Sequence, residues 1–286
     1  MNTEENSIIS RIAPIVPVYD LNFQYKVWDT ESAFTVQPIQ VGPGEPPRQT
    51  VLRGRNETDT LQGYGLTLPI PDALLGVNRE KAQAITLAEY KLIDSQFVTS
   101  YEYERAKLLM SQLPAASGMG DWANQQKNPL ADLDQAILSI NAATGHMPNT
   151  IVFGINAWQL LRSNTLARQV VSFNSVGLFN EDLLRMALIR PIRDIYIASM
   201  PYRDASGDAK TIMENEVYVL YKEDSPTQFD ASAVKTFGLS GKLRREVITE
   251  YKPTPALTLV TNRVYSLTKL TNPSAIVRID ATATGD

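Results

Sequence analysis

A run of 35 residues without proline or glycine, from Arg79 to Leu113, constrains this chain more than any other feature. Large apolar and aromatic side chains recur in it at helical steps of three or four residues and their multiples, at Leu87, Tyr90, Phe97, Tyr101 and Leu108. One continuous helix of this length would run roughly 50 Å, which is longer than most domains need. The alternative is two shorter helices with a break near Thr99-Ser100.

Composition limits what surrounds this helix. The 286 residues suit one large domain or two ordinary ones, and with 43% hydrophobic and 20% charged residues the chain resembles a soluble globular protein. No apolar run is long enough to span a membrane, and the acidic N-terminus predicts no secretory signal. The absence of cysteine excludes disulfides, thiolate zinc sites and cysteine nucleophiles. The net charge of −4 argues against a protein whose main role is to bind the phosphates of nucleic acid. Contact with nucleic acid is still possible if the basic residues are concentrated on one face.

The first third of the chain has the pattern of an arm followed by a hairpin. Residues 1 to about 30 show little periodicity and contain Pro14 and Pro17, which predicts an extended arm. Residues 32–41 alternate like a strand, "GPGEPP" interrupts them, and "RQTVLRG" resumes, so we expect a long hairpin with a Pro/Gly tip. A polar turn, "NETDT", and another strand at 61–71 follow. The hairpin has few large apolar residues, so we expect it to pack against something outside its own subunit.

Residues 119–231 read as a mixed α/β unit. A glycine-rich linker leads to a helix that Asn128-Pro129 should start and Gly145 should end. An apolar strand, "TIVFG", then precedes a helix that carries Trp158 and Leu161, and later segments predict a helix from Asn180 and two further strands. The tail, "KLRREVITEY" to "SAIVRI", alternates in long strands and predicts a second sheet without helices between its strands.

No motif in the sequence assigns a catalytic, cofactor-binding or metal-ligating residue. "GLSGKL" at 238–243 lacks the glycine and the Ser/Thr that a phosphate-binding loop needs, at Thr236 and Leu243. "GIN" has one glycine where a dinucleotide site uses three, and Asn156 is better interpreted as a helix N-cap. His146 is the only histidine, and its place after Gly145 favours a surface or capping role over a catalytic triad.

Charged residues likewise have structural interpretations. Metal sites would need oxygen ligands alone, and the acids Asp132/Asp134 and Glu181/Asp182 stand where acids favour helix N-termini. The run "GKLRRE" could face nucleic acid or a neighbouring subunit, and a solvated strand edge explains it equally well. We therefore expect no enzyme activity and no cofactor.

The order of these features resembles the major capsid proteins of tailed bacteriophages, the Hong Kong 97 type of shell subunit. The resemblance is carried by residues 122–164, in which a tryptophan precedes a Pro-started helix ending in "ATG", then "PNTIVFG" and a helix with a second tryptophan. "SYEYERAKLLMSQL" before this segment and the strand-rich tail after it also fit. The similarity extends over most of the chain from about residue 30 onward.

The resemblance implies an α+β fold whose parts can be placed on this sequence. These are an N-terminal arm (1–30), an extended β-hairpin loop (31–76), a peripheral domain with a long spine helix (77–118), a mixed α/β axial domain (119–231) and the returning strands of the peripheral domain (232–286). In this arrangement "TIVFGINAWQLL" is a core strand and helix of the axial domain.

The function that the resemblance implies is structural. Many copies, as hexamers and pentamers, would form the icosahedral shell that encloses double-stranded DNA in the virion of a tailed phage, after synthesis in the host cytoplasm. Expected partners are a portal, a decoration protein, the DNA on the inner face, and a separate scaffold protein, since this chain has no room for a scaffolding extension; no membrane is involved. Two alternatives stay open: an encapsulin-like cellular compartment and an α/β nucleotide-binding enzyme.

Overall fold

The computed structural model describes residues 7–28, 39–42, 44, 46, 49, 54–75, 79–172, 179–241 and 245–283. Its helices are α1 (Ile9–Ile12), α2 (Asp72–Leu75), α3 (Arg79–Gln112), α4 (Pro129–Thr144), α5 (Ile155–Ser163), α6 (Thr165–Ser172) and α7 (Glu181–Ala187). Its strands are β1 (Ile15–Val18), β2 (Asn22–Trp28), β3 (Gly54–Thr60), β4 (Gln62–Pro71), β5 (Thr150–Gly154), β6 (Asp194–Ala198), β7 (Pro201–Arg203), β8 (Ala209–Thr211), β9 (Glu216–Leu220), β10 (Val234–Leu239), β11 (Glu246–Pro253), β12 (Ala256–Leu270) and β13 (Ile276–Asp280).

Helix α3 is the single long helix that the sequence predicts, and the alternative of a break near Thr99 is wrong. The Thr99 hydroxyl donates a hydrogen bond to the Ser95 carbonyl 2.7 Å away, so this polar residue is accommodated inside the helix. Phe97 is buried near the middle of the helix beside Arg245, and Leu109 near its end is buried in an apolar cluster with Val152 and Tyr218. The helix therefore connects two regions of the subunit.

Two sheets lie along this helix. In the five-stranded sheet the order is β1-β10-β12-β11, and β4 pairs with β12 on its other side. In the four-stranded sheet the order is β13-β9-β5-β6. The antiparallel β11–β12 ribbon confirms the long strands predicted in the tail.

Strand β13 corrects one expectation. The sequence places "SAIVRI" in the second sheet, whereas the structure pairs it with β9 in the four-stranded sheet, with Ile276 opposite Leu220. The physical reason is a non-local contact. Arg278 binds the Glu216 carboxylate through Nε at 2.6 Å and Nη2 at 2.9 Å, and it donates to the Leu113 carbonyl at the end of α3.

The N-terminal segment contains more regular structure than the sequence predicts. Helix α1 and strands β1 and β2 lie within residues 7–28, for which the sequence predicts an extended arm with little periodicity. Pro17 is accommodated because β1 is the edge strand of its sheet, where a missing N–H is tolerated, and β1 runs parallel to β10. The segment is extended over much of its length, as predicted, but it is docked on the subunit.

The predicted polar turn "NETDT" is also wrong. These residues belong to β3, which pairs antiparallel with β2 so that Tyr25 lies opposite Glu57. Pairing with β2 overrides the turn propensity of the Asn and Asp residues. The strand expected at 61–71 is confirmed as β4, whereas the strands expected at 32–41 and 48–54 lie largely outside the described residues.

Three apolar clusters fill the interior. The first lies between one face of the four-stranded sheet and α4 and α5, and it includes Phe153 and Trp158. The second lies on the opposite face of that sheet, where Val152 and Tyr218 meet α1 and the end of α3. The third joins the root of the β2–β3 hairpin to Phe237 of β10. Strand β5 is buried on both faces, so it has no surface available for a ligand.

Candidate assembly surfaces

The strand-to-helix turn from β5 into α5 is a packing element. Helix α5 begins at Ile155 with Gly154 as its N-cap, so the expectation that Asn156 is the N-cap is wrong. Asn156 Nδ2 instead donates to Asn215 Oδ1 at 2.5 Å. A Cβ on Gly154 would lie 1.9 Å from the Met213 carbonyl oxygen, so glycine is needed here for close backbone approach.

His146 makes a packing contact. Its ring stacks on Tyr221 with centroids 4.7 Å apart, and the side chain is partly exposed. The Tyr221 hydroxyl donates to Glu223 at 2.6 Å, and burial raises the pKa of that hydroxyl. The contact connects the end of α4 to the residue that follows β9.

The acidic residues singled out in the sequence serve the helices around them. Asp132 is buried, and its Oδ2 accepts from the Trp122 indole at 2.8 Å and from the Gly120 N–H at 3.0 Å. Asp182 pairs with Arg185 at 2.6 Å in the first turn of α7. Among the described residues, no cluster of His, Asp and Glu could hold a metal ion. Nor is any helix in the described ranges both long and apolar enough to cross a membrane.

The charged run at 241–246 lies partly outside the described residues. Arg245 points back to α3, with Nη2 2.7 Å from Asp94 Oδ1, and Glu246 pairs with Arg263 of β12 at 2.9 Å. These two members of the run therefore pair within the subunit.

The ribbon formed by β11, β12 and β4 is poorly covered by its own subunit. Val247 and Ile248 are neighbours on β11 and hence point to opposite faces, yet both are exposed, at 44% and 37%. Tyr251 farther along the strand is 58% exposed. Because β11 ends the sheet, it presents both an unpaired edge and uncovered apolar side chains, which is typical of a strand that a partner covers.

The β2–β3 hairpin is anchored at its root. The Phe23 and Tyr25 rings lie 4.5 and 5.2 Å from the Phe237 ring, measured between centroids. The Tyr25 hydroxyl donates a hydrogen bond to Glu57 at 2.7 Å, and burial raises the pKa of this hydroxyl. Lys269 of β12 forms an ion pair with Asp59 at 2.6 Å. Beyond this root Ile39 is 89% exposed, so the described part of the connection contributes little to the core.

The N-terminal segment is held to α3 by a buried carboxylate. Glu102 accepts from the backbone N–H groups of Ile8 and Ile9 at 2.7 and 2.8 Å, and from the Ser7 hydroxyl at 2.6 Å. Glu102 is 2% exposed. The carboxylate therefore supplies the acceptors that the first turn of α1 needs.

A further apolar surface lies between α4 and the turn after α7. Leu138, Met186 and Ile189 are exposed there, and Ile189 N–H donates to Asp134 Oδ1 at 2.8 Å. Desolvation raises the pKa of Asp134, while the hydrogen bond from Ile189 opposes that shift.

Comparison with known proteins agrees with this architecture. No family model matches the chain. A curated relative, the major capsid protein of Pseudomonas phage JBD67, is 25% identical over 201 residues, which are 66% of this chain and 60% of the relative. The chain thus spans less than two thirds of that relative's length.

Several solved structures superpose over nearly the whole chain. A phage-related protein from Bordetella bronchiseptica superposes with a TM-score of 0.73 at 13% identity. The superposition covers 98% of this chain and 94% of the Bordetella chain. The capsid of Cyanophage P-SCSP1u has a TM-score of 0.58 at 10% identity and coverages of 97% and 89%. A holo-encapsulin complex from Synechococcus elongatus has a TM-score of 0.57 at 13% identity and coverages of 96% and 86%. At these identities the likeness shows the fold, and it confirms the α+β class.

Proposed function

We propose that this chain, which has the Hong Kong 97 type of capsid fold, is a major capsid protein that self-assembles into the icosahedral shell of a tailed phage. The observation that carries the proposal is the curated relative, a major capsid protein, together with a fold shared with a phage capsid over nearly the whole chain. The role is structural, not enzymatic, and the interior of the shell would enclose double-stranded DNA.

The uncovered surfaces support assembly into many copies. Strand β11 exposes apolar side chains on both faces. A second exposed apolar surface, formed by Leu138, Met186 and Ile189, lies between α4 and the turn after α7. A chain that functioned alone would leave these surfaces to solvent, which favours aggregation. Closed hexamers and pentamers would cover them with different, complementary surfaces of the neighbouring copies, because ring interfaces are heterologous.

The division of the subunit follows from the proposal. Residues 1–30 would be the arm, 31–76 the extended loop, 77–118 and 232–286 the peripheral domain, and 119–231 the axial domain at capsomer centres. Strand β13 modifies this division, because residues 276–280 pair with β9, which lies within 119–231. A scaffold protein, a portal and a decoration protein would complete a particle made in the host cytoplasm.

The second candidate function is an encapsulin-like compartment. The likeness to a solved encapsulin complex favours it specifically, since that complex shares the fold over 96% of this chain. Neighbouring genes distinguish the two, because portal, protease and terminase genes indicate a phage, whereas a peroxidase or ferritin-like gene indicates a compartment. The nucleotide-binding enzyme is not favoured, because glycine at 154 is explained by contact with Met213.

Electron microscopy of the purified protein tests the proposal. We expect closed, uniform shells, either from the chain alone or after co-expression with its scaffold protein. Light scattering that shows only monomers under both conditions would contradict a shell-forming role. Nuclease-protected double-stranded DNA inside particles isolated from infected or induced cells would support the phage over the compartment.

A further inference from the structure

Arg105 is a buried cation without a carboxylate partner. It is 3% exposed, and its guanidinium donates to the neutral hydroxyls of Thr268 and Thr236 at 3.0 Å and of Ser10 at 3.2 Å. Its Cζ also lies 4.7 Å from the centroid of the Tyr101 ring, a contact that offsets only part of the cost of burying the charge. Among the described residues no carboxylate is within ion-pair distance of it, and the oxygens of nearby Glu102 are engaged by the first turn of α1. Buried charges are normally paired, because an unpaired one is costly to desolvate.

A second arginine faces the same space. Arg245 Nη2 lies 2.7 Å from Asp94 Oδ1, but Nε and Nη1 are buried and have no hydrogen-bond acceptor among the residues that the structure describes. Arg105 has five N–H groups and uses three in the bonds above. The two side chains therefore leave several donors that need an acceptor.

Both arginines line one small cavity between α1, α3 and the five-stranded sheet. Its volume is about 40 Å³, and its lining includes the polar residues Ser7, Ser10, Tyr101, Arg105, Thr236, Arg245 and Ser266. A cavity needs about 10–15 Å³ of this kind of volume to hold a single water, so this one has room for a small ion together with a water. The lining carries two permanent positive charges, since arginine does not lose its proton in proteins.

We propose that this cavity binds a small monovalent inorganic anion of the halide class, chloride in the cell, between Arg105 and Arg245. The anion would accept the remaining N–H groups of both guanidinium groups and balance the charge of Arg105. It would join α1, α3 and the five-stranded sheet at one point, because Ser10, Arg105 and Thr236 belong to these three elements. The inference stands apart from the proposed shell function, since it concerns the folded subunit alone.

Bromide provides a direct probe, because it has the charge of chloride, nearly its size and a strong anomalous signal. We expect a crystal of the assembled or unassembled protein soaked in sodium bromide to show an anomalous peak between the Arg105 and Arg245 guanidinium groups. Density there without an anomalous signal would mean that the cavity holds water, and it would overturn the proposal.

Thermal unfolding gives a second readout. At matched ionic strength, sodium chloride should raise the unfolding midpoint by about 2–4 °C over sodium gluconate, since a ligand that binds only the native state stabilises it. Arg105→Met and Arg245→Gln should each abolish this chloride-specific difference. Two variants are used so that the test still gives a result if one of them folds poorly. The control Arg162→Met removes an exposed arginine on α5 and should retain it. A chloride effect that persists in both cavity variants would refute the site.

Discussion

At the scale of single residues, Trp158 shows how the interior of the α/β unit depends on one side chain. It is 7% exposed on α5, and its ring lies 5.2 Å from Phe153 and 6.0 Å from Phe179. We expect Trp158→Ala to lower the free energy of unfolding by about 3–5 kcal/mol, because it leaves a cavity among these rings. Chemical denaturation measures the loss. Met186→Ala is the control, since Met186 is 73% exposed, and equal effects of the two changes would contradict the packing role.

Asp134 predicts a dependence of stability on pH. Desolvation holds its pKa above the ordinary value of 3.8, so the folded state binds this proton more tightly than the unfolded state. Its contribution to stability is therefore present below that value and is lost as pH rises through the higher folded pKa. Asp134→Asn keeps an oxygen acceptor for Ile189 N–H and removes the charge.

We expect Asp134→Asn to be more stable than the parent at neutral pH and equal to it in acid, where both side chains are neutral. Urea unfolding at the two pH values measures the difference. Asp182→Asn is the matched control, because this carboxylate is 71% exposed and paired with Arg185, and it should give no gain at neutral pH. A parent more stable than Asp134→Asn at neutral pH would show the opposite sign for the shift.

The residue roles that could be predicted from the sequence are those that depend on neighbouring positions in the chain. Asn128 and Gly145 act as the caps of α4 as predicted, because capping depends on the neighbouring few residues. The role of Gly154 could not be predicted, since it depends on a carbonyl almost sixty positions away at Met213. The burial of Arg105 gave no signal either, because in sequence it looks like any other charge on a long helix.

At the scale of elements, α1 is too short to be stable alone. Four residues form one helical turn, whose nucleation is unfavourable without tertiary contacts. Glu102 provides such a contact by accepting from Ile8 and Ile9 N–H, and burial in the second cluster adds to it. The docking of the N-terminal segment on α3 therefore depends on this carboxylate.

We expect Glu102→Ala to cost about 1–3 kcal/mol of stability, because it leaves buried backbone donors without an acceptor. Hydrogen exchange should show loss of protection in residues 8–18 and retained protection in β5 and β9. Glu104→Ala is the control, since Glu104 is exposed two positions along the same helix. Unchanged exchange at 8–18 in Glu102→Ala would show that other contacts hold the segment.

Elements with a strong local period were predicted well, whereas their partners were not. The uninterrupted helical period fixed α3, and alternation indicated β11 and β12. The sequence places β13 in the wrong sheet and predicts a turn where β3 lies, because sheet pairing depends on contacts between distant residues such as Arg278 and Glu216. The parallel pairing of β1 with β10 has the same cause.

At the scale of the whole molecule, the long helix α3 connects a well-buried α/β unit to a sheet that extends beyond its own core. The four-stranded sheet is covered on both faces, whereas β11 is exposed on both. Burial is thus completed in one part of the subunit and left incomplete in another. A subunit of this kind would reach a lower free energy when copies cover the exposed strands, and this burial would be the physical basis of the shell that we propose.

The hairpin connection tests this view of the molecule. Because Trp28 and Gly54 are paired at the end of β2 and β3, residues 29–53 can be replaced by a short Gly/Ser turn without breaking the root. The core contacts of the hairpin come from Phe23 and Tyr25, which the replacement retains. We therefore expect a folded, soluble subunit that does not close a shell, since the removed residues would contact a neighbour instead of their own core.

Circular dichroism with thermal melting tests the fold of this replacement, and light scattering with microscopy tests its assembly. The melting temperature should stay within a few degrees of that of the parent, because the replacement retains the core contacts of Phe23 and Tyr25. Arg55→Ala, at an exposed arginine next to the replaced segment, should assemble normally and serves as the control. Closed particles from the replacement would show that the loop is not an assembly element. A subunit that failed to fold would place residues 29–53 in the core and contradict the division of the chain proposed above.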